Sequence, residues 1–465
     1  MIDPNLISKT LDTLLGGGAD FADIYVERKR AQGFEWRESK IKAVTSTISF
    51  GAGLRLVYGQ EVIYVYTNDL SPEALLAFAK DASQIKMTSH SNAIGKAQEL
   101  QRQKIAANND FNLDHAFWNI AHSARVDRCK VFENAAKSHR STVTDAIAGF
   151  GETKKEILIA NSEGLLVEDT KFYSKYSLSI HAESNGVKEV AYHGNGRATT
   201  SDYFDTQDFA AMGREIAELA DDLTKAKFAP SGEMPVIIGR GQGTLIHEAC
   251  GHSLETTSVA DGDSVFSNRM GEMVANKCVS LIDDGTIKNL WGSINIDDEG
   301  TPVQKTTLIK EGKLVSYLSD RLGAQKIDHP RTGSARRESY KYAPTSRMRS
   351  TYIDAGQDSF EEMIASIESG LYVKGVGGGS VSPATGEYQF QAIESYQIKN
   401  GKIGDLVKGA TLIGRGDQTM KDITMVSDRL QLEGGGMCGS RSGAVPVDVG
   451  QPDVLISKLL IGGRA

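Results

Sequence analysis

The chain has 465 residues, 40% of them hydrophobic and 24% charged, with a formal net charge of −8. This is an ordinary balance for a folded protein of about two or three domains. It excludes a general nucleic-acid binder, because Lys and Arg are scattered among acids and form no basic stripe.

Taken in chain order, apolar residues at helical spacing (Leu6, Ile7, Leu11, Leu14, Leu15) stop at Gly16-Gly17-Gly18 and predict a helix over 2–16. From Phe21 to Tyr66 the pattern changes to strands, around DIYVER, KAVTSTISFGAGLRLVYG and EVIYVYT, with Tyr58-Gly59-Gln60 as a turn. A second helix is predicted over 72–85, with Ser71 as its N-cap. Residues 88–108 read as a loop or linker. A helical stretch near 113–137, a meander of strands from TVTDAIAGFGE to VKEVAYHGNG, and a helix over 206–223 follow. Helix, strands, helix thus occurs twice before residue 226, which points to an internal duplication. It favours an antiparallel α/β domain over an alternating βαβ sheet.

Ala229-Pro230-Ser231-Gly232 marks a boundary. The expected class is α+β, with an N-terminal α/β domain over 1–228 and a β-rich, barrel-like C-terminal domain over 229–465. In the second half a short strand, PVIIG, precedes one helix, and the acidic, amphipathic DSFEEMIASIESG (358–370) predicts a later one. The N-terminal stretch MIDPNLISKTLDTLLGGG lacks the basic and apolar regions of a secretory signal. No run of about 18 apolar residues appears, so a cytoplasmic protein with no membrane partner is expected. The four cysteines, Cys129, Cys250, Cys278 and Cys438, are too widely spaced for a disulfide framework and are expected as free thiols, structural or metal-bound.

The sharpest local signal is His247-Glu248-Ala249-Cys250-Gly251-His252. In the HExxH pattern the histidines stand at i and i+4, roughly 40° apart around a helix, and both reach one metal. Here the offset is five, which turns His252 roughly 140° away from His247 on an ideal helix. One metal can be shared only if the helix is widened or broken, and Gly251 offers the place, as a π-bulge or a helix terminus. Cys250, at i+3 and roughly 60° from His247, is a rival partner that counting leaves open. Gly239-Arg240-Gly241-Gln242-Gly243 fails as a dinucleotide fingerprint, since the third glycine would fall at Thr244. Gly375-Val376-Gly377-Gly378-Gly379 lacks the Lys-Ser/Thr of a P-loop, and the chain has no GxSxG elbow. Catalytic zinc usually takes three protein ligands and keeps a position for water. The third candidate is Cys438, a thiol set among glycines in Gly434-Gly435-Gly436-Met437-Cys438-Gly439, open to close approach and poorly placed for core packing.

HEACGHSLE, IDDEGTPVQKTTLIKEGKLVSYLSD (296–320), SRMRSTYIDAG (346–356), the glycine-rich 373–403 and GGGMCGSRSGAVPVDVGQPDVLISKLLIGG (434–463) together resemble the TldD family. This is the HExxxH-containing peptidase half of the TldD/TldE (PmbA) group, once called modulators of DNA gyrase. The resemblance covers essentially the whole chain and is strongest from residue 240 onward. It implies a zinc-dependent peptidase in which His247, His252 and Cys438 hold Zn²⁺ and Glu248 is the general base. The position of Cys250 usually carries a small apolar residue in that family, which demotes it as a ligand. The resemblance also implies a homodimer, or a heterodimer with a homologous subunit lacking HExxxH. Its subunits would enclose the active site, so the substrates are short peptides or unfolded polypeptides. Two positions depart from the family pattern: Ser350 replaces an asparagine, and CGSRSG replaces CGK-x-GQ. The competing function is a non-catalytic peptide-binding or regulatory protein with a structural metal, which would need a fourth protein ligand.

Overall fold

The structure, a computed structural model, describes residues 2–85, 87 and 95–463. Of the predicted linker, residues 88–94 lie outside the described residues; the rest runs extended and adds a short parallel strand, Gln101–Arg102, beside Leu165 and Leu166.

Strands Phe21–Arg37, Lys40–Tyr58 and Glu61–Thr67 form one meander, and Val143–Asn161, Leu165–Ser184 and Val187–Arg197 form a second. Antiparallel pairing of Phe21–Arg37 with Val143–Asn161 fuses them into one seven-stranded sheet. Helices Pro4–Leu15 and Pro72–Ser83 flank the first meander in sequence, and His122–His139 and Phe209–Lys225 flank the second. The order helix, three strands, helix therefore occurs twice, and each repeat has its own core. Ile7, Leu11, Leu54 and Leu75 pack in the first, and Phe132, Phe150, Tyr176 and Phe209 in the second. Burial alternates residue by residue through Ala146, Ala148 and Phe150, as a sheet with one face packed under helices requires.

Three local expectations are corrected. Ser71 sits at the N-cap position, but its hydroxyl donates to Asp69 Oδ1 at 2.8 Å and caps no helix amide. The third helix begins at His122 instead of near 113. Ala116 and Phe117 turn into the core there, leaving only a single 3₁₀ turn at Leu113–His115. The helix expected over 358–370 is only Phe360–Ala365, because Ser369 already opens a strand. At Gly370 that strand runs so close to its neighbour that a Cβ would stand 2.4 Å from the Pro235 carbonyl oxygen.

The barrel-like body is a closed five-stranded barrel. Gly232–Ile238 pairs with Ser369–Val381 and Val454–Gly462, Val454–Gly462 with Thr411–Arg415, and Thr411–Arg415 with Glu387–Lys399; Glu387–Lys399 pairs back to Ser369–Val381. Beside it a six-stranded sheet ends in Gly443–Gln451 and Gln431–Ser440. No helix among the described residues is long and apolar enough to cross a membrane.

Buried charges dock the N-terminal sheet onto the segment Asp297-Asp298-Glu299. Arg55, 2% exposed, bonds Asp23 on one side and Glu299 Oε1 at 2.6 Å on the other. Lys171 Nζ donates to Asp298 Oδ1 at 2.9 Å, and the Arg337 guanidinium lies over the Tyr25 ring at 4.3 Å. Burial works against the ionised Glu299, but the Arg55 guanidinium outweighs it and holds the carboxyl below its ordinary range. Removing the cation would leave two buried carboxylates unpaired. We therefore expect Arg55→Ala to cost about 3–5 kcal/mol, read as a lowered midpoint of chemical denaturation. A wild-type midpoint in that variant would show that the cluster does not hold the two parts together.

Candidate metal centre

The strand Gly232–Ile238 leads through Gly239–Gly243 into a helical segment made of three unlike pieces. Thr244–Ile246 is one α-turn, His247–Gly251 is a π-turn, and His252–Leu254 is 3₁₀. The π-turn bonds i to i+5, so residues five apart return to the same side of the segment. Gly251 is needed there for space: a Cβ would lie 2.0 Å from Met348 Sδ, and Met348 is fully buried.

The widened turn brings the predicted side chains together. Donor atoms of His247, Glu248 and Cys438 all lie within 4.8 Å of one another. His252 Nε2 is 2.9 Å from Cys438 Sγ and 3.3 Å from Glu248 Oε2. His247 is 1% exposed, and neither of its ring nitrogens has a hydrogen-bond partner. Buried polar atoms are normally satisfied, so an imidazole without hydrogen-bond partners, one of whose nitrogens lies near a thiol and a carboxylate, is a place for a further ligand. Burial alone would raise the Cys438 thiol, but the imidazoles of His247 and His252 outweigh it and bring it down to about 6. Burial would likewise raise Glu248, yet the same two histidines keep it below the usual range. A low thiol and an ionised carboxylate beside buried imidazoles form a donor set of the N and S type that suits zinc. Cys250 does not join this group; its side chain is fully buried in the apolar core with Leu245, Ile246 and Leu254, and burial pushes its thiol up.

Two residues that the sequence reading missed hold this arrangement. Glu255 Oε2 bonds His252 Nδ1 at 2.9 Å, fixing the ring so that Nε2 faces the group. A carboxylate behind a histidine commonly orients a metal-binding ring in this way. Arg347, fully buried, stands 3.7 Å from Glu255 Oε1, donates to the Gly443 carbonyl at 2.7 Å and also bonds the Cys438 carbonyl. It thereby ties the histidine segment to the cysteine strand. The acid three residues after His252 was the one sequence signal that could have exposed Glu255.

The cysteine strand, Gln431–Ser440, is also gripped by the N-terminal sheet. Asn195 Oδ1 accepts from the Gly434 amide at 3.2 Å, while Asn195 Nδ2 donates to Glu433 at 3.1 Å. The strand bulges between Glu433 and Gly436, and a Cβ on Gly434 would lie 2.4 Å from the Gly196 carbonyl. Ser350, one of the departures from the family pattern, donates to Asp448 Oδ2 at 3.0 Å.

Glu248 and His252 open onto a cavity of about 630 Å³. Its lining includes Gly378–Val381 and Met437 with Gly439–Arg441. Among the described residues, Gln431–Ser440 is paired only by Gly443–Gln451. Ser369–Val381 meets Gly232–Ile238 only at Leu371–Val373, so beyond Val373 its second edge has no strand partner among the described residues.

The chain and its fold, a five-stranded barrel beside an α/β sheet, match known proteins over almost the full length. Residues 231–463 match the PmbA/TldA metallopeptidase C-terminal domain, 115–224 its central domain and 22–86 its domain 1. A metalloprotease TldD homolog of Haemophilus influenzae is 34% identical over 470 residues, covering 99% of this chain and 97% of that one. A solved structure from Thermotoga maritima, described as a modulator of DNA gyrase, superposes with a TM-score of 0.77 at 19% identity, over 98% of this chain and 99% of its own. TldE from Thermococcus kodakarensis does so with a TM-score of 0.75 at 17% identity, over 98% and 100%. The chain belongs to the PmbA/TldD family of metallopeptidases, on its TldD side.

Proposed function

We propose that the chain is a zinc peptidase whose ion is held by His247, His252 and Cys438, with Glu248 as general base. The observation that carries this reading is the buried His247 ring, both nitrogens unpartnered, beside the Cys438 thiol and the Glu248 carboxylate. A zinc ion bound there would lower the pKa of water toward about 7 and polarise the scissile carbonyl. Glu248 takes the proton of the attacking water and hands it to the leaving amine. Glu255 keeps His252 in one orientation, and Arg347 keeps Glu255 and the Cys438 backbone in register. A substrate peptide lies in the cavity as an added strand against the edge of Gln431–Ser440, recognised mainly through its backbone.

Two subunits enclose this cavity in the proposed assembly, as a homodimer or with a homologous subunit lacking HExxxH. Support comes from the long hairpin of the N-terminal sheet. Residues 40–51 pair with the first strand but not with Glu61–Thr67, which leaves one edge without a strand partner among the described residues. Val44 and Ile48 on that strand are 67% and 75% exposed. An exposed β-branched edge of this length is a liability unless another chain covers it.

Glu248→Gln should keep the metal and lose about 10²–10⁴-fold in peptide hydrolysis, because Gln cannot accept the proton. A variant that binds zinc and cleaves at the wild-type rate removes Glu248 from the mechanism and favours a structural metal. Cys438→Ala should bind far less than one equivalent of zinc, whereas Cys250→Ala should retain a full equivalent. Metal analysis of the two proteins side by side decides the third ligand, and the reverse result would exchange their roles. For the enclosed cavity, a folded protein and its denatured, non-refolding form are compared as substrates. Preferential loss of the denatured form is expected, and equal cleavage of both would sink the enclosure.

A further inference from the structure

The cavity wall carries one cation that the proposed chemistry does not use. Arg441 follows Cys438 by three residues, in the turn between Gln431–Ser440 and Gly443–Gln451, and its side chain is 69% exposed. Among the residues that line the cavity, the other titratable side chains are Glu248 and His252, which face each other at 3.3 Å, and Glu248 also stands 3.9 Å from His247. Arg441 has one acidic neighbour within ion-pair distance, Asp261, at 3.9 Å. That carboxylate is already bonded by Lys326 Nζ at 2.7 Å, so two cations share one anion and a positive charge is left over at the cavity mouth. Glu338, packed against the same turn, is committed to the Ala444 amide at 2.8 Å.

Resting on the peptidase reading of this cavity, we propose that Arg441 is a specificity residue that binds a substrate carboxylate. The geometry sets where that carboxylate lies. Three residues of extended chain span roughly 10 Å, so a peptide laid along the strand edge from Cys438 reaches Arg441 about three residues from the scissile bond. Gly439 and Ser440, both exposed, lie between those two points. An arginine fork suits a carboxylate, which accepts two parallel hydrogen bonds from it. The carboxylate comes from the peptide's own C-terminus or from an Asp or Glu side chain at that distance, and the two sources offer the same oxygens.

The test is binding to zinc-loaded Glu248→Gln protein, in which the peptide survives the measurement. The probes are N-terminally labelled alanine hexapeptides with a free acid or an amide end, and an amide-ended pair with Glu or Gln inside, read by fluorescence anisotropy. The carboxylate member of one pair or both should bind about fivefold tighter, as an exposed ion pair allows, and less so at high salt. Adding Arg441→Gln should bring the ratio to one, and adding Arg441→Glu should favour Lys at the same place. Which pair discriminates identifies the source. Equal affinities within both pairs, a preference that survives Arg441→Gln, or no peptide binding at all would each overturn the inference. Hydrolysis by the wild type separates the two claims. Cleavage without carboxylate preference leaves the peptidase and removes Arg441's role, whereas carboxylate-selective binding without cleavage does the reverse.

Discussion

Two imidazoles five residues apart can share a neighbour only if the helix between them is widened or broken, and the rest of the second half is built around that constraint. A π-turn is rare on its own account and persists where surrounding contacts fix it. Here the fixing is steric. Met348 fills the space that any side chain at position 251 would need, and Leu245, Ile246, Ala249 and Leu254 anchor the other faces in the apolar core. Once the turn is set, neither ring nitrogen of His247 has a hydrogen-bond partner. The donors that meet it come from Glu248 beside it and from a strand almost two hundred residues later.

Bringing that strand in without regular secondary structure has an electrostatic cost. From Glu255 to Ser350 the chain is mostly turns and isolated bridges, and a buried backbone must still place its amides and carbonyls. Buried charged side chains take over the task. Asp297 accepts from the amides of Glu299, Thr301 and Ala335. Arg349, fully buried, spans Asp283 and the carbonyls of Thr332 and Gly333. Arg347, two residues earlier, works in the same way on the carbonyls of Cys438 and Gly443. These guanidiniums act as many-armed cross-links, which a lysine could not reproduce, since a point charge lacks the planar fork.

The first half and the presence of a barrel were legible in the sequence because both rest on local pattern. Periods of 3.6 and 2, punctuated by Gly16-Gly17-Gly18 and Gly59, specify the first helix and the strands after it, whereas the start of the third helix is displaced to His122 by Ala116 and Phe117 turning into the core. The His247 to His252 spacing and the glycine beside it also told where an ordinary helix must fail. Glu255 was not legible, since an acid three residues after a histidine is common on any solvated helix face. Its role shows only when its bond to His252 Nδ1 is seen together with the Met348 amide and Arg347, some ninety positions away. The short helix at Phe360–Ala365 was over-extended for a related reason. Ile367 belongs to a packed cluster at the barrel wall, and Ser369 and Gly370 to the strand, so tertiary pairing overrode amphipathic spacing that would have continued the helix.

The Asn195 contact changes how the N-terminal sheet should be regarded. It is no detachable lobe: one amide side chain of that sheet supplies the partner for Gly434 and for Glu433 at the bulge from which the cysteine strand departs. Trp291, whose indole packs against Tyr173 of the same sheet, donates to the Gly436 carbonyl a little further on. Chimeras that join the front of one relative to the back of another would thus inherit a mismatch at this seam. The Asn195-Gly196-Arg197 corner and the Glu433-Gly434-Gly435-Gly436 bulge have to be exchanged as a matched set.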